Sequence, residues 1–378
     1  MIIDRLRCDI CSSEYPYPFD LTEHQHPELE IGGVPMNIWT QIYKLPQQGS
    51  LHLSTNSRGV MKFRDYLPVD GMDVVSLDEG FTPLMRLVAI SDRYGSNVYL
   101  KDERGNPTGS FKDRGMPLMM ADIKKSGKEW VAIPSTGNAA ISLVHYAKHN
   151  GIKSMVFVPS DISHGKMRLL EEAERLVFCD DLVRAYEDFF SFCKAHPEVY
   201  NGFPVTNIPY SHGLKTIAYE IFLGLGERVP EWLVVPCGSG GNTVSQYQGF
   251  TDLYNMGLTD RMPRFVTVQI QGADPITIGY RKRQFDKAVL LDEISDSRAE
   301  AIASDTCFNY FKILEILERT RGVPVSVTDQ DIDRIHPDDL PELEFSSQSV
   351  YASLEKLKEH LKSDETVVLI GTGCKRGY

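Results

Sequence analysis

From about residue 75 onward the chain alternates short β-branched apolar runs with amphipathic stretches, and this alternation narrows the fold more than any other feature. NVYLK (97–101), EWVAIPS (129–135), KSMVFVPS (153–160), EWLVVPCGSGG (231–241), RFVTVQIQG (264–272) and ETVVLIGTG (365–373) are apolar at successive positions and bounded by Gly, Pro or Ser. Runs of that kind fit parallel strands covered on both faces. Between them, NAAISLVHYAKHNG (138–151), MRLLEEAERL (167–176) and LKTIAYEIFLGLG (214–226) carry helical spacing with one apolar face. The pattern predicts an α/β protein with helices on both faces of a sheet, its ligand beyond the carboxyl ends of the strands.

Charge and cysteine usage bound the function. Forty Lys and Arg against fifty-two Asp and Glu leave a net charge of −12. That balance argues against nucleic acid or an anionic membrane as partner, because no basic excess remains to neutralise phosphates. No apolar run is long enough to span a bilayer, and MIIDRLRCDICSSEY lacks the apolar core of a signal peptide. A soluble, cytoplasmic protein is expected. The seven cysteines are scattered, which fits reduced thiols, and only Cys8 and Cys11 form a C-x-x-C pair. A zinc ribbon needs four ligands. His24 and His26 could supply the other two, but the expectation is a metal-free hairpin at the start of an irregular arm, and no metal ligands are assigned. The polar stretch YKLPQQGSLHLSTNSRG (43–59) is a connector.

Four strand-to-helix loops carry chemistry. In KDERGNPTGSFKDRG (101–115), Lys112 follows an aromatic residue and precedes a helix, whose positive end opposes protonation of the amine. A neutral lysine amine can attack an aldehyde, whereas the plain alternative is a surface lysine. In PSTGNAA (134–140), Ser135, Thr136 and Asn138 offer donors for a carboxylate or phenolate oxygen, or else only a helix cap. In PCGSGGNT (236–243), glycines let backbone amides approach an anion at a helix start. It is neither the Walker pattern nor the dinucleotide fingerprint, so it reads as a phosphate cradle of another kind. In IGTG (370–373), the hydroxyl of Thr372 can donate to a ring nitrogen. An amine nucleophile, a phosphate cradle, a donor for a ring oxygen and a donor for a ring nitrogen are together what pyridoxal 5'-phosphate requires.

On these residues the chain resembles the fold-type II pyridoxal-phosphate enzymes, the tryptophan synthase β-like superfamily, and within them the threonine synthases. The segment NPTGSFKDRG (106–115) carries the resemblance most specifically, followed by PSTGNAA, CGSGGN and IGTG, with FRDYLPV (63–69) and SLDEGFTPL (76–84) upstream. It implies two open twisted sheets with helices on both faces and the cofactor in the cleft between two domains. The arm would be 1–60, the large domain 61–115 plus 225–378, and a small mobile domain 116–224. It further implies that Lys112 is the catalytic lysine bonded to the cofactor, beside Phe111. Asn138 would meet the phenolic oxygen, Gly238, Ser239, Gly240, Gly241 and Asn242 the phosphate, and Thr372 the ring nitrogen. A hydroxyl there leaves the ring a weaker electron sink than a carboxylate would, which suits elimination and replacement at the β and γ carbons.

For the substrate, the resemblance implies Ser135, Thr136 and Asn138 at the carboxylate. PYSHGLKTIAYE (209–220) adds Lys215 and Tyr210, the latter where relatives carry an arginine. The implied reaction is O-phosphohomoserine and water to threonine and phosphate, in a homodimer. Phe81, Tyr210, EAERLVF (172–178) and the ending CKRGY depart from the family pattern. They keep open a β- or γ-replacement on another activated amino acid, such as O-phosphoserine with sulfite or an amine, and hydroxy-amino-acid deamination. A non-catalytic cofactor-binding relative is the remote alternative.

Overall fold

The computed structural model describes residues 1–18, 24, 26, 30–31, 34–47, 49–335 and 340–375. The end of the divergent tail, 376–378, lies outside them. The N-terminal arm forms β1 (Ile3–Cys8), β2 (Glu14–Pro16), the short β3 (Glu30–Ile31) and β4 (Val34–Pro35), and β5 (Trp39–Tyr43). Next come β6 (Leu84–Arg86) and β7 (Asn97–Asp102), then β8 (Trp130–Pro134), β9 (Lys153–Pro159), β10 (Arg175–Cys179) and β11 (Val199–Asn201). The chain closes with β12 (Trp232–Pro236), β13 (Arg264–Ile270), β14 (Val323–Val327) and β15 (Thr366–Gly371).

Two sheets organise the molecule. The larger runs β14-β13-β12-β15-β7-β6 and the smaller β10-β9-β8-β11, while β2-β1-β5 forms an antiparallel sheet in the arm. Every neighbour pair in the two main sheets is parallel except β6 with β7. Strand alternation explains why the apolar runs are continuous. In β12, Leu233 and Val235 enter the central core, whereas Trp232 and Val234 enter a second core on the opposite face. In β15, Val368 and Ile370 face the first and Val367 and Leu369 the second. The small sheet repeats the arrangement: Val156 and Val158 of β9 join the central core, and Met155 and Phe157 pack outward. One core therefore lies against the inner faces of both sheets, and helices cover the outer faces.

All six strands expected from the sequence are present and parallel. Two elements differ. The helix expected over 167–176 is only the short His164–Arg168, and β10 begins at Arg175. There the Leu176–Phe178 run pairs along the open edge of β9, and Glu174 accepts hydrogen bonds from Ser154 N and Oγ at 2.5 and 2.9 Å. Edge pairing overrides the helical preference of LLEEAE. The additional strand β14 contains Pro324, which an edge strand tolerates because one side needs no donors.

This topology sets the site. The loops after β7, β8, β12 and β15 all leave the carboxyl ends of parallel strands. Among the described residues, no helix is long and apolar enough to cross a membrane. Because β15 sits between β12 and β7, Leu369→Ala should cost about 2–5 kcal/mol of stability, read as a lower denaturant midpoint with an unchanged slope.

Candidate active site

The four loops line a single cleft of 1810 Å³ between the two sheets and the arm. Lys112 sits in a short 3₁₀ turn, Phe111–Gly115, that leads directly into the helix Met116–Ser126. Its Nζ lies 4.5 Å from the centre of the Phe111 ring, and the lysine is half-buried on the cleft wall. The residues beside it hold the turn still. Asp113 accepts from Thr108 N and Oγ1 at 2.6 Å and from Ser142 Oγ at 2.5 Å, tying the loop to the helix Asn138–Asn150. Arg114 is fully buried and reaches Glu103 at 2.5 Å and Glu220 at 2.6 Å, while Lys101 holds the second Glu220 oxygen at 2.6 Å. Burial alone pushes the Glu220 carboxyl up, but Arg114 and Lys101 outweigh it and bring it to about 2. Gly115 is required because a Cβ there would meet the Tyr210 ring at 2.2 Å.

The loop is zipped to the segment after β15. Phe111 N donates to Thr372 O at 3.0 Å and Cys374 N to Gly109 O at 2.9 Å, which sets Lys112 and Thr372 in the same wall. Opposite them, Gly238–Asn242 open the helix Gly241–Asn255. Gly240 has φ +84°, and a Cβ on it would come within 2.3 Å of Ile313; one on Gly238 would come within 2.3 Å of Ala301 O. Asn309 pins the loop from behind by donating to Ser239 O from N at 3.2 Å and Nδ2 at 2.7 Å. The amides of the first helical turn have no partners within a helix, so the loop forms a backbone anion cradle. Asn242 Nδ2 and Ser245 Oγ are buried without partners on this wall. Ser135 and Thr136 line the cleft from the end of β8, as expected.

Glu344 is the residue the sequence reading did not single out. It is the N-cap of the helix Phe345–Leu357, and its backbone N–H donates to Gly373 O at 3.0 Å. Its carboxylate accepts from Asn138 Nδ2 at 2.8 Å, Ser347 Oγ at 3.2 Å and Thr372 Oγ1 at 3.3 Å. Asn138 and Thr372, expected to act separately, are joined through one carboxylate. While its single proton is directed to Glu344, Thr372 presents only lone pairs to the cleft; the donor role anticipated requires that proton to turn away from Glu344. Glu344 also acts on Lys112: burial lowers the ammonium to about 8, and the carboxylate partly opposes that fall.

Of the two remaining expected substrate contacts, one lies away from the cleft and the other lines it. Lys215 is fully buried outside the cleft lining, paired with Asp252 at 2.7 Å and set 4.9 Å from the Tyr43 ring. A cation already held by a buried carboxylate is not free for substrate, so Lys215 is a structural residue. Tyr210 lines the cleft and its buried hydroxyl has no partner.

The profile of the pyridoxal-phosphate dependent enzymes matches residues 75–373. The chain belongs to this family. It is 33% identical over 330 residues to a threonine synthase of Methanocaldococcus jannaschii, covering 83% of this chain and 80% of that one. With a threonine synthase of Methanosarcina acetivorans it shares 32% over 334 residues, 85% and 80% of the two chains. Among solved structures, the processed threonine deaminase isoform 2 of Solanum lycopersicum superposes with a TM-score of 0.68 at 19% identity, covering 89% of this chain and 96% of that chain. Maize serine racemase does so at 0.66 and 16%, covering 78% and 88%. These structures share the fold.

The cleft fits pyridoxal phosphate. It offers a half-buried amine with a lowered pKa, an anion cradle in which Gly238 and Gly240 admit no side chain, and buried donors without protein partners. Arg114→Met should destabilise the protein by about 3–5 kcal/mol, because it leaves Glu103 and Glu220 buried without their cation; chemical denaturation measures it. Glu344→Gln removes the charge that supports the Lys112 ammonium, so the amine deprotonates at lower pH. The pH midpoint for cofactor uptake by cofactor-free protein, followed in the visible, should fall by about one unit. An unchanged midpoint would refute that coupling.

Proposed function

We propose that this lyase converts O-phosphohomoserine and water to threonine and phosphate. The observation that carries the reading is the convergence of Lys112, the 238–242 cradle and the 135–138 turn on one cleft, in a chain similar to threonine synthases over most of its length. In this reading Lys112 and Phe111 hold the cofactor with Gly238, Ser239, Gly240, Gly241, Asn242 and Thr372, and Asn138 meets its ring oxygen. Pyridoxal phosphate, once bound, supplies the electron sink for charge released at the substrate Cα.

Ser135 and Thr136 bind the substrate carboxylate at the helix start, where backbone donors add to their hydroxyls. Lys112 Nζ takes the Cα proton; its lowered pKa lets a neutral amine exist near neutral pH. A Cβ proton is then lost as the Cγ–O bond breaks with departure of phosphate, and Cγ takes up a proton. Water adds its oxygen at Cβ with its spare proton passing to solvent or phosphate, and a proton returns to Cα from Lys112. With Lys215 committed to Asp252, the cation proposed for the leaving phosphate is Lys166, on the cleft wall and paired, among the described residues, only with the exposed Glu300 at 2.5 Å. Tyr210 contributes its unpartnered hydroxyl to the same pocket. The smaller unit, 116–224, would close over the substrate, and the reading includes a cytoplasmic homodimer.

The deciding assay follows phosphate and threonine together from O-phosphohomoserine. Equal yields support the proposal. Phosphate with 2-oxobutyrate means elimination without hydration, and no phosphate sends the reading to another activated amino acid, with O-phosphoserine tested next. Tyr210 in place of a basic residue is the observation that favours this second reading. Lys112→Ala should abolish turnover. Lys166→Met should raise KM about 10- to 100-fold with a smaller change in kcat, the loss expected for one charge-assisted contact to phosphate. An unchanged KM would remove Lys166 from the pocket.

A further inference from the structure

The N-terminal arm holds a second constellation, remote in sequence from the lysine and independent of the reaction proposed above. The ligand atoms of Cys8, Cys11, His24 and His26 all lie within 4.8 Å of one another. Cys8 Sγ is 3.3 Å from His26 Nε2, Cys11 Sγ is 3.3 Å from His24 Nε2, and the two Nε2 atoms are 3.1 Å apart. A metal-free hairpin, the expectation from sequence, gives no reason for two sulfurs and two imidazole nitrogens to converge on one point. In a tetrahedral site with Zn–S of about 2.3 Å and Zn–N of about 2.05 Å, ligand atoms lie roughly 3.3–3.8 Å apart. The measured separations approach those edges.

Local structure supports a built site. Cys8 ends β1, and the turn to Cys11 closes through Ser12 N donating to Cys8 O at 2.9 Å, with Ser12 at φ +61°. His24 Nδ1 shares a 2.8 Å hydrogen bond with Tyr15 OH. When that bond is donated by Nδ1, the Nε2 lone pair points to the centre of the cluster, as ligating histidines are held by outer partners. His24 also packs against Trp39, 5.5 Å between ring centres. All seven cysteines are free thiols, so no disulfide competes for the sulfurs.

We propose that Cys8, Cys11, His24 and His26 bind one zinc ion, which fastens the arm to the cleft. Two thiolates with two imidazoles suit zinc by softness and by tetrahedral preference. The connection to the cleft is direct. Cys8 pairs with Trp39 across β1 and β5, and Trp39–Tyr43 line the cleft. Asp9, between the two cysteines, accepts from Thr40 Oγ1 at 2.6 Å and from Lys312 Nζ at 2.5 Å, on the helix Tyr310–Thr320. The ion closes the loop from which this wall hangs, a structural role with no part in bond making.

The test uses the full-length holoenzyme prepared under reductant. Metal analysis should give one zinc per chain. Cobalt(II) exchanged into the same protein should give the intense visible absorption of a tetrahedral thiolate site and quench Trp39 fluorescence. Cys11→Ser, at an exposed position, should lower zinc occupancy roughly tenfold or more while the visible band of the bound cofactor persists, which shows that the fold survives. His24→Asn provides a second variant with the same expected loss. Zinc-free protein after exposure to zinc under reductant would overturn the proposal. So would octahedral cobalt spectra, or full zinc occupancy in both variants.

Discussion

The buried charge network around Arg114 is the constraint on which the rest of the site depends. Two cations and two carboxylates, Arg114 and Lys101 with Glu103 and Glu220, sit together where water does not reach. They come from four places: β7, the turn after it, the 3₁₀ turn carrying Lys112, and the helix Thr216–Gly224. Placing charges there carries a desolvation cost, which only near-complete pairing offsets. The arrangement therefore has one well-satisfied geometry, and that geometry fixes the backbone two residues from the reactive amine. Phe81, at φ +49°, is drawn into the same network, its N–H donating to Glu220 at 2.7 Å.

The motif around Lys112 divides its labour accordingly. Phe111 and Lys112 line the cleft; Asp113 and Arg114 turn back into the protein and bind opposite supports, and Gly115 lets the Tyr210 ring lie against the backbone. A short turn held at both ends can present an amine in a half-buried position without that amine having an ion-pair partner of its own. Burial then lowers its pKa to about 8, and the carboxylate of Glu344 limits the fall. Reactivity and placement thus follow from the same few residues.

The parallel strands were legible because burial on both faces leaves an unbroken apolar run, as in LVV of β12 and VVLI of β15. The glycine cradle was legible because the steric demands of Gly238 and Gly240 leave no other residue type. Glu344 was not legible: an acidic residue at a helix N-cap is common, and its importance arises only when the zipped 109–111 and 372–374 segments bring Thr372 to it. Lys215 misled for the converse reason, since nothing local to GLKT shows that Asp252, thirty-seven positions on, captures it. The strand β10 was hidden because an edge strand needs only one apolar face, and LLEEAE carries helical spacing. Likewise His24 and His26 gain meaning only when folding brings them to Cys8 and Cys11.

Tyr210 shows how packing limits substrate recognition. Its ring lies against Gly115, and its hydroxyl is buried at the cleft wall with no protein partner. A longer, fully charged side chain at that position would have to turn from the Gly115 contact or be buried beside Asp113, whose oxygens are already engaged by Thr108 and Ser142. Tyrosine keeps the contact and still delivers a donor, at the cost of the charge. In the proposed reaction, recognition of a dianionic leaving group must then draw its cation from another element, and the helix His164–Arg168 presents Lys166 to the same cleft on the small-sheet side. Moving that charge from the fixed core of the site to a short helix makes its engagement depend on how the small sheet sits over the cleft. In the reaction proposed above, phosphate binding and cleft closure would then be one event, which suits a reaction that must admit water after phosphate has left.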